Sequence, residues 1–221
     1  DRLGDTKIEQ GDLAGALQHL QTSLAIRQKL VDSAPDRSEW QRALAVSHQW
    51  VGNVLLLQGD PAGALKHQQI NMEMSQRLAS DDPANLRLQH DLGISLLKVG
   101  EVKSALSDQP GALKAFLAGM DIAQRLAAKD PDNAGWGRTR WLMLWKIAEI
   151  EGGGVSWPDV VTAMDGMARR GEIGASERVL FVHTGGLPAL LRITACHAPA
   201  EEQDLLDKAG AERVLAALLG G

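Results

Sequence analysis

The chain is 221 residues long with a formal net charge of −5, a balance that gives no electrostatic footprint for nucleic acid or an anionic membrane. No apolar run approaches the roughly 18 residues that a membrane-spanning helix needs. The single cysteine, Cys196, excludes an internal disulfide framework, and we expect a protein of the reducing cytoplasm.

Residues 1–150 are organised by an internal 48-residue repeat. The segments that align without a gap are RLGDTKIEQGDLAGAL (2–17), WVGNVLLLQGDPAGAL (50–65) and KVGEVKSALSDQPGAL (98–113). One unit of this kind cannot bury its apolar face alone, whereas stacked units can. The sequence therefore predicts a mainly α fold, an α-solenoid of helix pairs with about three and a half repeats, followed by a short C-terminal appendage of α/β or helical type.

Each unit is predicted to be two helices, called helix A and helix B. Helix B of the second unit is expected from about residue 62 to residue 80, with Asp60 as N-cap and Pro61 in the first turn. Helix A of the next unit is expected over about 86–99. A glycine recurs late in helix A, where it either permits close helix packing or forms a C-cap; it is found at Gly4, Gly52 and Gly100.

Apolar residues at helical spacing mark the expected core of the solenoid. The residues assigned to it are Leu17, Leu20, Leu24, Leu30, Leu65, Leu78, Leu113, Phe116 and Leu126.

A fourth helix A, WGRTRWLMLWKIAEI (136–150), is apolar almost all round. A helix of this kind must be covered. We expect either that the C-terminal segment covers it or that it serves as an association surface between molecules.

The repeats resemble the tetratricopeptide repeat family. In that family a glycine in helix A is followed twelve residues later by alanine and, four residues further on, by a large apolar residue. Gly100, Ala112 and Phe116 fit this pattern best, and the second unit has Gln68 at the third position. The usual unit is about 34 residues long, so longer helices are expected here, as in the long-helix tetratricopeptide-like arrays of bacterial signalling proteins.

This resemblance implies a groove, lined by helix A, that binds a protein or peptide. The position after each helix-A glycine would face the groove and would form an acidic-to-polar stripe with a preference for basic partners; it holds Asp5, Asn53, Glu101 and Glu149. The alternative is an ordinary solvated face, since isolated surface charges need no role.

The histidines of the repeats show no ligand spacing with another histidine, cysteine or carboxylate, so no metal site is predicted; they are His19, His48, His67 and His90. Phosphate loops and nucleophile-elbow motifs are also missing from the sequence. No catalytic residue is therefore assigned in residues 1–150.

The repeat register is lost after a glycine-rich linker at residues 151–157. Residues 158–221 are predicted to form a separate appendage. In chain order it is expected to hold a helix (158–173), a short strand (177–183), a Thr-Gly-Gly turn, a helix that begins at 187, and one or two closing helices (201–221).

Within the appendage, ARRGEIGASERVLFVHTGGLPAL (168–190) resembles the C-terminal segment of the D-cysteine desulfhydrase and aminocyclopropane-carboxylate deaminase family, which are pyridoxal-phosphate enzymes. The resemblance implies that Thr184 would lie near the pyridine nitrogen of the cofactor, with Gly185 and Gly186 beside the ring. The alternative for Thr184 is the N-cap of the following helix.

The other parts that such an enzyme needs are missing from the sequence. A Schiff-base lysine and a phosphate cradle lie upstream in the family, but the only lysine after residue 150 is Lys208. We therefore expect no cofactor and a non-catalytic scaffold that binds protein or peptide. The alternatives are a pyridoxal-phosphate lyase or deaminase, present as a remnant or fusion, and a self-assembling structural module.

Overall fold

The computed structural model describes residues 6–8, 10–131, 133–150 and 154, together with the backbone of 178–184 and 187–193. The chain divides into two compact units, Asp1–Val160 and Val161–Gly221. The described part of the first unit is an α-solenoid.

Six long helices form the described part of the first unit, and they repeat with the period of the sequence. Helix B is 21 residues long in each described repeat, and both helix A and helix B begin one repeat period after their predecessors. In chain order the helices are α1 (Leu13–Ser33), α2 (Ser38–Leu57), α3 (Pro61–Asp81), α4 (Leu86–Ala105), α5 (Gln109–Lys129) and α6 (Ala134–Ala148). Each packs on the next in sequence, and α2, α4 and α6 also contact one another in line.

Every described helix B begins at an aspartate cap. The carboxylate accepts a hydrogen bond from the backbone N–H three residues on, at 2.8 Å in the first two repeats and 2.9 Å in the third; the pairs are Asp12–Gly15, Asp60–Gly63 and Asp108–Gly111. Such a cap contributes about 1 kcal/mol because it satisfies an N–H that has no partner within the helix. A Cβ atom at Gly63 would lie 2.2 Å from the capping carboxylate, which explains the glycine of the repeated Gly-Ala-Leu triplet.

The connection from helix A to helix B is a tight left-handed turn. In the second repeat Gly59 has a φ of +80° and donates to the Leu56 carbonyl at 3.0 Å, while the Asp60 N–H donates to the Leu55 carbonyl at 2.9 Å. These two bonds form a Schellman motif. The same register holds Gly11 in the first repeat but a serine, Ser107, with a φ of +63° in the third.

The helix-A glycines allow close helix packing, as one of the two interpretations predicted. A Cβ atom at Gly100 would lie 2.3 Å from the Phe116 ring, and one at Gly52 would lie 2.6 Å from the Gln68 side-chain nitrogen. The C-cap interpretation is wrong for both, because α2 and α4 continue past the glycine to Leu57 and Ala105. Helix A is thus longer than its predicted end near residue 99.

Most of the predicted core is at least half-buried. Leu20, Leu78, Phe116 and Leu126 are buried, and the other predicted residues apart from Leu30 have intermediate exposure. The prediction for Leu30 is wrong, since its side chain is 40% exposed. Among the described residues α1 has one full-length neighbour, α2, whereas α3 and α5 each pack between two helices.

Helix α6 is partly covered within the first unit. Met143, Leu144 and Ile147 are buried, and Met143 fills the space beside Gly119 of α5. Trp141 and Trp145 keep intermediate exposure and contact each other edge to face, with ring centroids 5.2 Å apart. Helix α5 therefore covers part of α6. The sequence suggested only the C-terminal segment or a second molecule as the cover.

The described part of the second unit is an antiparallel pair of strands, β1 (Arg178–Thr184) and β2 (Leu187–Ile193), in register from Arg178 opposite Ile193 to Thr184 opposite Leu187. The predicted strand is confirmed. The predicted helix from residue 187 is wrong, and so is the helix-cap role of Thr184. Two apolar runs separated by Gly-Gly are typical of a two-residue hairpin, and pairing satisfies backbone groups that a lone strand leaves open.

The other predicted elements of the appendage, at 158–173 and 201–221, lie outside the described residues. No helix that the structure describes is both long enough and apolar enough to cross a bilayer.

Candidate functional site

The helices α2, α4 and α6 form one face, called here the helix-A face. The Arg42 guanidinium of α2 makes a two-pronged ion pair with Asp91 of α4, in which Nη2 and Oδ1 are 3.0 Å apart. His90 Nε2 of α4 is 3.0 Å from Thr139 Oγ1 of α6. Each link joins positions 49 residues apart, so the same helix-to-helix contact recurs from one repeat to the next.

Burial affects the ionisation of His90 on this face. Burial lowers the pKa of His90, while the neighbouring Asp91 carboxylate raises it and Arg42 lowers it. The imidazole is therefore favoured in its neutral form, in which one ring nitrogen donates and the other accepts. The contact with Thr139 requires no charge on the histidine.

Three members of the predicted stripe occupy the same position in successive A helices, and each of the three already has a partner. Asn53 Oδ1 accepts a hydrogen bond from Gln68 Nε2 at 3.0 Å. Glu101 pairs with Lys98 at 2.8 Å, and the exposed Glu149, the C-cap of α6, pairs with Lys146 at 2.8 Å. Asp5 lies outside the described residues.

We did not predict a role for the two lysines that pair with these glutamates, although the sequence contains a signal for them. Lys98 and Lys146 occupy the same position in successive repeats, and each lies three residues before its glutamate, the spacing of neighbours on one helix surface. They balance the charge of Glu101 and Glu149, so the stripe is less negative than its carboxylates alone predict. Ion pairs that solvent reaches are each worth about 0–1 kcal/mol.

Aliphatic side chains lie on the helix-A face beside these charged residues. Val46, Ile94 and Leu142 occupy one register, four residues after the register of Arg42 and His90, and all three have intermediate exposure. Four residues correspond to about one helical turn, so the apolar and charged positions lie on the same side of each helix. The face therefore offers an apolar strip with polar residues on both sides.

A small polar cavity opens between α2, α3 and α4. Arg42, Val46, Gln49, Asn71 and Asp91 are among the residues that line it, and it has room for roughly one water molecule. Asn71 is 2% exposed; its Oδ1 accepts a hydrogen bond from Ser75 at 3.4 Å, while its Nδ2 has no partner.

Buried polar residues extend along the inner side of α3. They are called here the polar seam and are Gln68, Asn71 and Ser75. Gln68 donates to the Gln49 carbonyl at 3.1 Å as well as to Asn53, but its Oε1 has no partner. An unpaired buried polar atom is destabilising by about 1–3 kcal/mol.

A histidine pair lies beside the polar seam. His48 Nδ1 of α2 and His67 Nδ1 of α3 are 3.0 Å apart, and the rings are tilted by 37°. Burial lowers the pKa of His48 to about 4, with the charge of His67 as a smaller cause, and burial also lowers the pKa of His67. Both rings are therefore neutral at pH 7.

Sequence spacing concealed this pair because its members are on different helices. His48 and His67 are 19 residues apart, as are Gln49 and Gln68, which also touch across the α2–α3 interface. The signal available in the sequence was the expected packing of helix A on helix B within one repeat, which brings such positions together. Among the described residues there is no cluster of three or more histidine, cysteine, aspartate or glutamate side chains that could hold a metal ion.

The predicted cofactor residues belong to the second unit. Thr184 ends β1 opposite Leu187, and Gly185 and Gly186, which connect the strands, lie outside the described residues. Lys208 also lies outside them. The possible contact of Thr184, Gly185 and Gly186 with pyridoxal phosphate stays a prediction.

Comparisons with known proteins give one family match, which covers part of the chain. The tetratricopeptide repeat family matches residues 1–36. One similar solved structure, described as the crystal structure of MamA protein, has 14% identity, with 76% of this chain and 88% of that chain covered and a TM-score of 0.33. A second, described as the crystal structure of MamA, has 16% identity, coverage of 76% and 94%, and a TM-score of 0.23.

None of the curated proteins matches the chain. The family match includes all of α1, and the 48-residue step from α1 to the next helix B recurs in the following repeat. The repeats of this chain are therefore tetratricopeptide-like.

Proposed function

We propose that the first unit is a non-catalytic scaffold that binds a protein or peptide along the helix-A face. The observation that carries this proposal is the continuity of the face: Arg42–Asp91 and His90–Thr139 join three successive A helices into one surface. The tetratricopeptide match supports the same class of function, because repeat arrays of this type present extended binding surfaces.

The chemistry of the face favours an extended partner with both apolar and basic side chains. Apolar groups would pack on the strip formed by Val46, Ile94 and Leu142. Basic groups would compete with Lys98 and Lys146 for Glu101 and Glu149. Because that competition replaces one ion pair with another, we expect the apolar contacts to supply most of the affinity.

The experiment compares partner capture by the full chain and by two single variants. Ile94→Glu places a charge in the apolar strip, and Leu117→Glu places the same charge on α5, where Leu117 is 46% exposed. We expect Ile94→Glu to lose, and Leu117→Glu to keep, the proteins captured from the native host. Equal capture by both variants, with helix content unchanged by circular dichroism, would contradict the proposal.

The preference for basic partners has its own test. In the double variant Glu101→Lys and Glu149→Lys, the stripe becomes positive, and a basic partner should bind at least tenfold more weakly. The affinity of the same partner should fall as salt rises, since exposed charges are screened. Unchanged affinity in the double variant would leave the scaffold proposal intact and remove the charge preference.

A further inference from the structure

The histidine pair of the second repeat has the geometry of a chelating site. Its two Nδ1 atoms are 3.0 Å apart and come from different helices, each fixed by helix packing. His48 is 8% exposed, and His67 has intermediate exposure, so solvent reaches one side of the pair. In the third repeat this combination does not recur, because Leu96 and Ala115 occupy the matching positions.

We propose that His48 and His67 bind a divalent transition-metal ion, with Cu²⁺ the tightest, through their two Nδ1 atoms. Imidazole nitrogen is a ligand for zinc, copper and nickel, and affinity among divalent ions of the first row is greatest for copper. Water would fill the remaining coordination positions. The site takes a metal aquo ion as ligand and is separate from the helix-A face.

The separation of the nitrogens distinguishes between coordination geometries. An ion about 2.0–2.1 Å from each nitrogen holds them about 2.8–3.0 Å apart when they occupy adjacent corners of a square, and about 3.3–3.4 Å apart in a tetrahedron. The observed 3.0 Å fits the square arrangement, which Cu²⁺ and Ni²⁺ adopt. A tetrahedral ion such as Zn²⁺ requires the two nitrogens to move apart by a few tenths of an ångström.

Metal binding by both Nδ1 atoms requires a change of tautomer in one ring. One Nδ1 must carry a proton to make the present hydrogen bond, and this proton can move to Nε2 of the same ring. Both Nδ1 atoms then have a lone pair available for the ion.

Metal binding at this position would connect two helices. His48 lies in α2 and His67 in α3, so the ion would cross-link helix A to helix B of the second repeat. An ion that binds the folded chain and not the unfolded chain raises the apparent stability with its concentration. The thermal midpoint should therefore rise as Cu²⁺ is added.

The test is calorimetric titration of the full, tag-free chain with Cu²⁺ in the presence of excess glycine as a competing chelator. Cys196 and His197 are adjacent and can themselves bind copper, so all samples carry Cys196→Ser and His197→Gln. We expect one Cu²⁺ per chain, an electron paramagnetic resonance spectrum of a tetragonal ion with two imidazole nitrogens, and a higher thermal midpoint.

The variants His48→Gln and His67→Gln should each bind Cu²⁺ at least tenfold more weakly and lose the copper-dependent rise in thermal midpoint. The matched control is His90→Gln, which removes another partly buried helix-A histidine and should bind copper as before. Copper affinity unchanged by His48→Gln and by His67→Gln would overturn the proposal. The absence of copper binding by the chain that keeps both histidines would also overturn it. Circular dichroism verifies that each variant folds. If His48→Gln does not fold, His67→Gln provides the test, because His67 is the more exposed position.

Discussion

The second and third repeats have the same backbone and different interiors. In the third repeat Gly100 receives the Phe116 ring, and the positions that follow on α5 are Gly119 and Ala123. In the second repeat the corresponding residues are Gly52 and the polar seam, whose first member is Gln68. Helix lengths, the aspartate caps of helix B and the turn hydrogen bonds are nevertheless alike in both.

This difference shows that the interior chemistry does not set the repeat geometry. The repeat period is fixed by the capping aspartates and the left-handed turn that precedes them, since these recur where the core changes. The interior decides instead how much each repeat contributes to stability. Three of the four predictions below compare the two interiors, and the last compares the turns.

The largest expected effect is in the apolar interior. Phe116→Ala should lower the free energy of unfolding by about 3–5 kcal/mol, because Phe116 is 1% exposed and its loss leaves a cavity beside Gly100. Urea denaturation measures the change. Leu117→Ala, at the exposed neighbouring position, is the control and should change it by less than about 1 kcal/mol; similar losses in both would mean that Phe116 is not packed as described.

The polar interior should respond to pH. The pKa of His48 is about 4 in the folded chain and 6.5 in its unperturbed state, so the unfolded chain binds more protons between these values. The contribution of His48 to the free energy of unfolding should therefore be fully present above pH 6.5. It should be lost as the pH decreases towards 4, by about 2 kcal/mol after allowance for solvent screening. Denaturation at several pH values measures this slope.

The variant that lacks the titrating group is the control for the pH experiment. His48→Gln should remove most of the slope between pH 4 and 6.5. His67 and His90 also have lowered pKa values and contribute in the same direction, so part of the slope remains. A slope unchanged by His48→Gln would show that His48 is not the principal group.

The two helix-A glycines should differ in their tolerance of a methyl group. Gly100→Ala drives a Cβ atom against the buried Phe116 ring and should be destabilising by about 1–3 kcal/mol. In Gly52→Ala the added Cβ atom would contact the Gln68 side chain, which has more rotatable bonds than a phenylalanine. The loss in free energy of unfolding should therefore be smaller than for Gly100→Ala. Thermal denaturation of both variants gives the order, and a larger loss for Gly52→Ala would reverse the comparison.

The smallest expected effect is at the turn between helix A and helix B. Ser107 has a φ of +63° where the second repeat has Gly59, and a left-handed conformation is unfavourable for a residue with a Cβ atom. Ser107→Gly should raise stability by about 0.5–1 kcal/mol. The reciprocal Gly59→Ser should lower it by a similar amount; a change of the same sign in both variants would contradict this account.

The sequence predicted features of the fold that depend on nearby residues. Asp60 and Pro61 are local helix-start signals, and the repeat carries equivalent signals from one unit to the next. The exposure of Leu30 could not be predicted in this way, because it depends on how many helices flank α1. The β1–β2 hairpin was missed although its Gly-Gly signal was present, since the family resemblance favoured a helix after the turn.

The candidate sites depended on contacts between helices and were less predictable. The register of Asn53, Glu101 and Glu149 followed from the repeat, but the hydrogen bond from Gln68 to Asn53 joins two helices. The histidine pair joins positions 19 residues apart that only the antiparallel packing of α2 on α3 brings together. Periodicity alone carries no information about such contacts.

The turn from helix A to helix B also makes the array modular. The Asp60 N–H donates to the last turn of α2, and the Asp60 carboxylate caps the first turn of α3. The connection between the two helices is therefore short and fixed by hydrogen bonds. A duplicate of residues 38–85 inserted after Asn85 would meet the same kind of cap on each side. We expect such an insertion to lengthen the helix-A face by one helix and to keep the helix content per residue unchanged by circular dichroism.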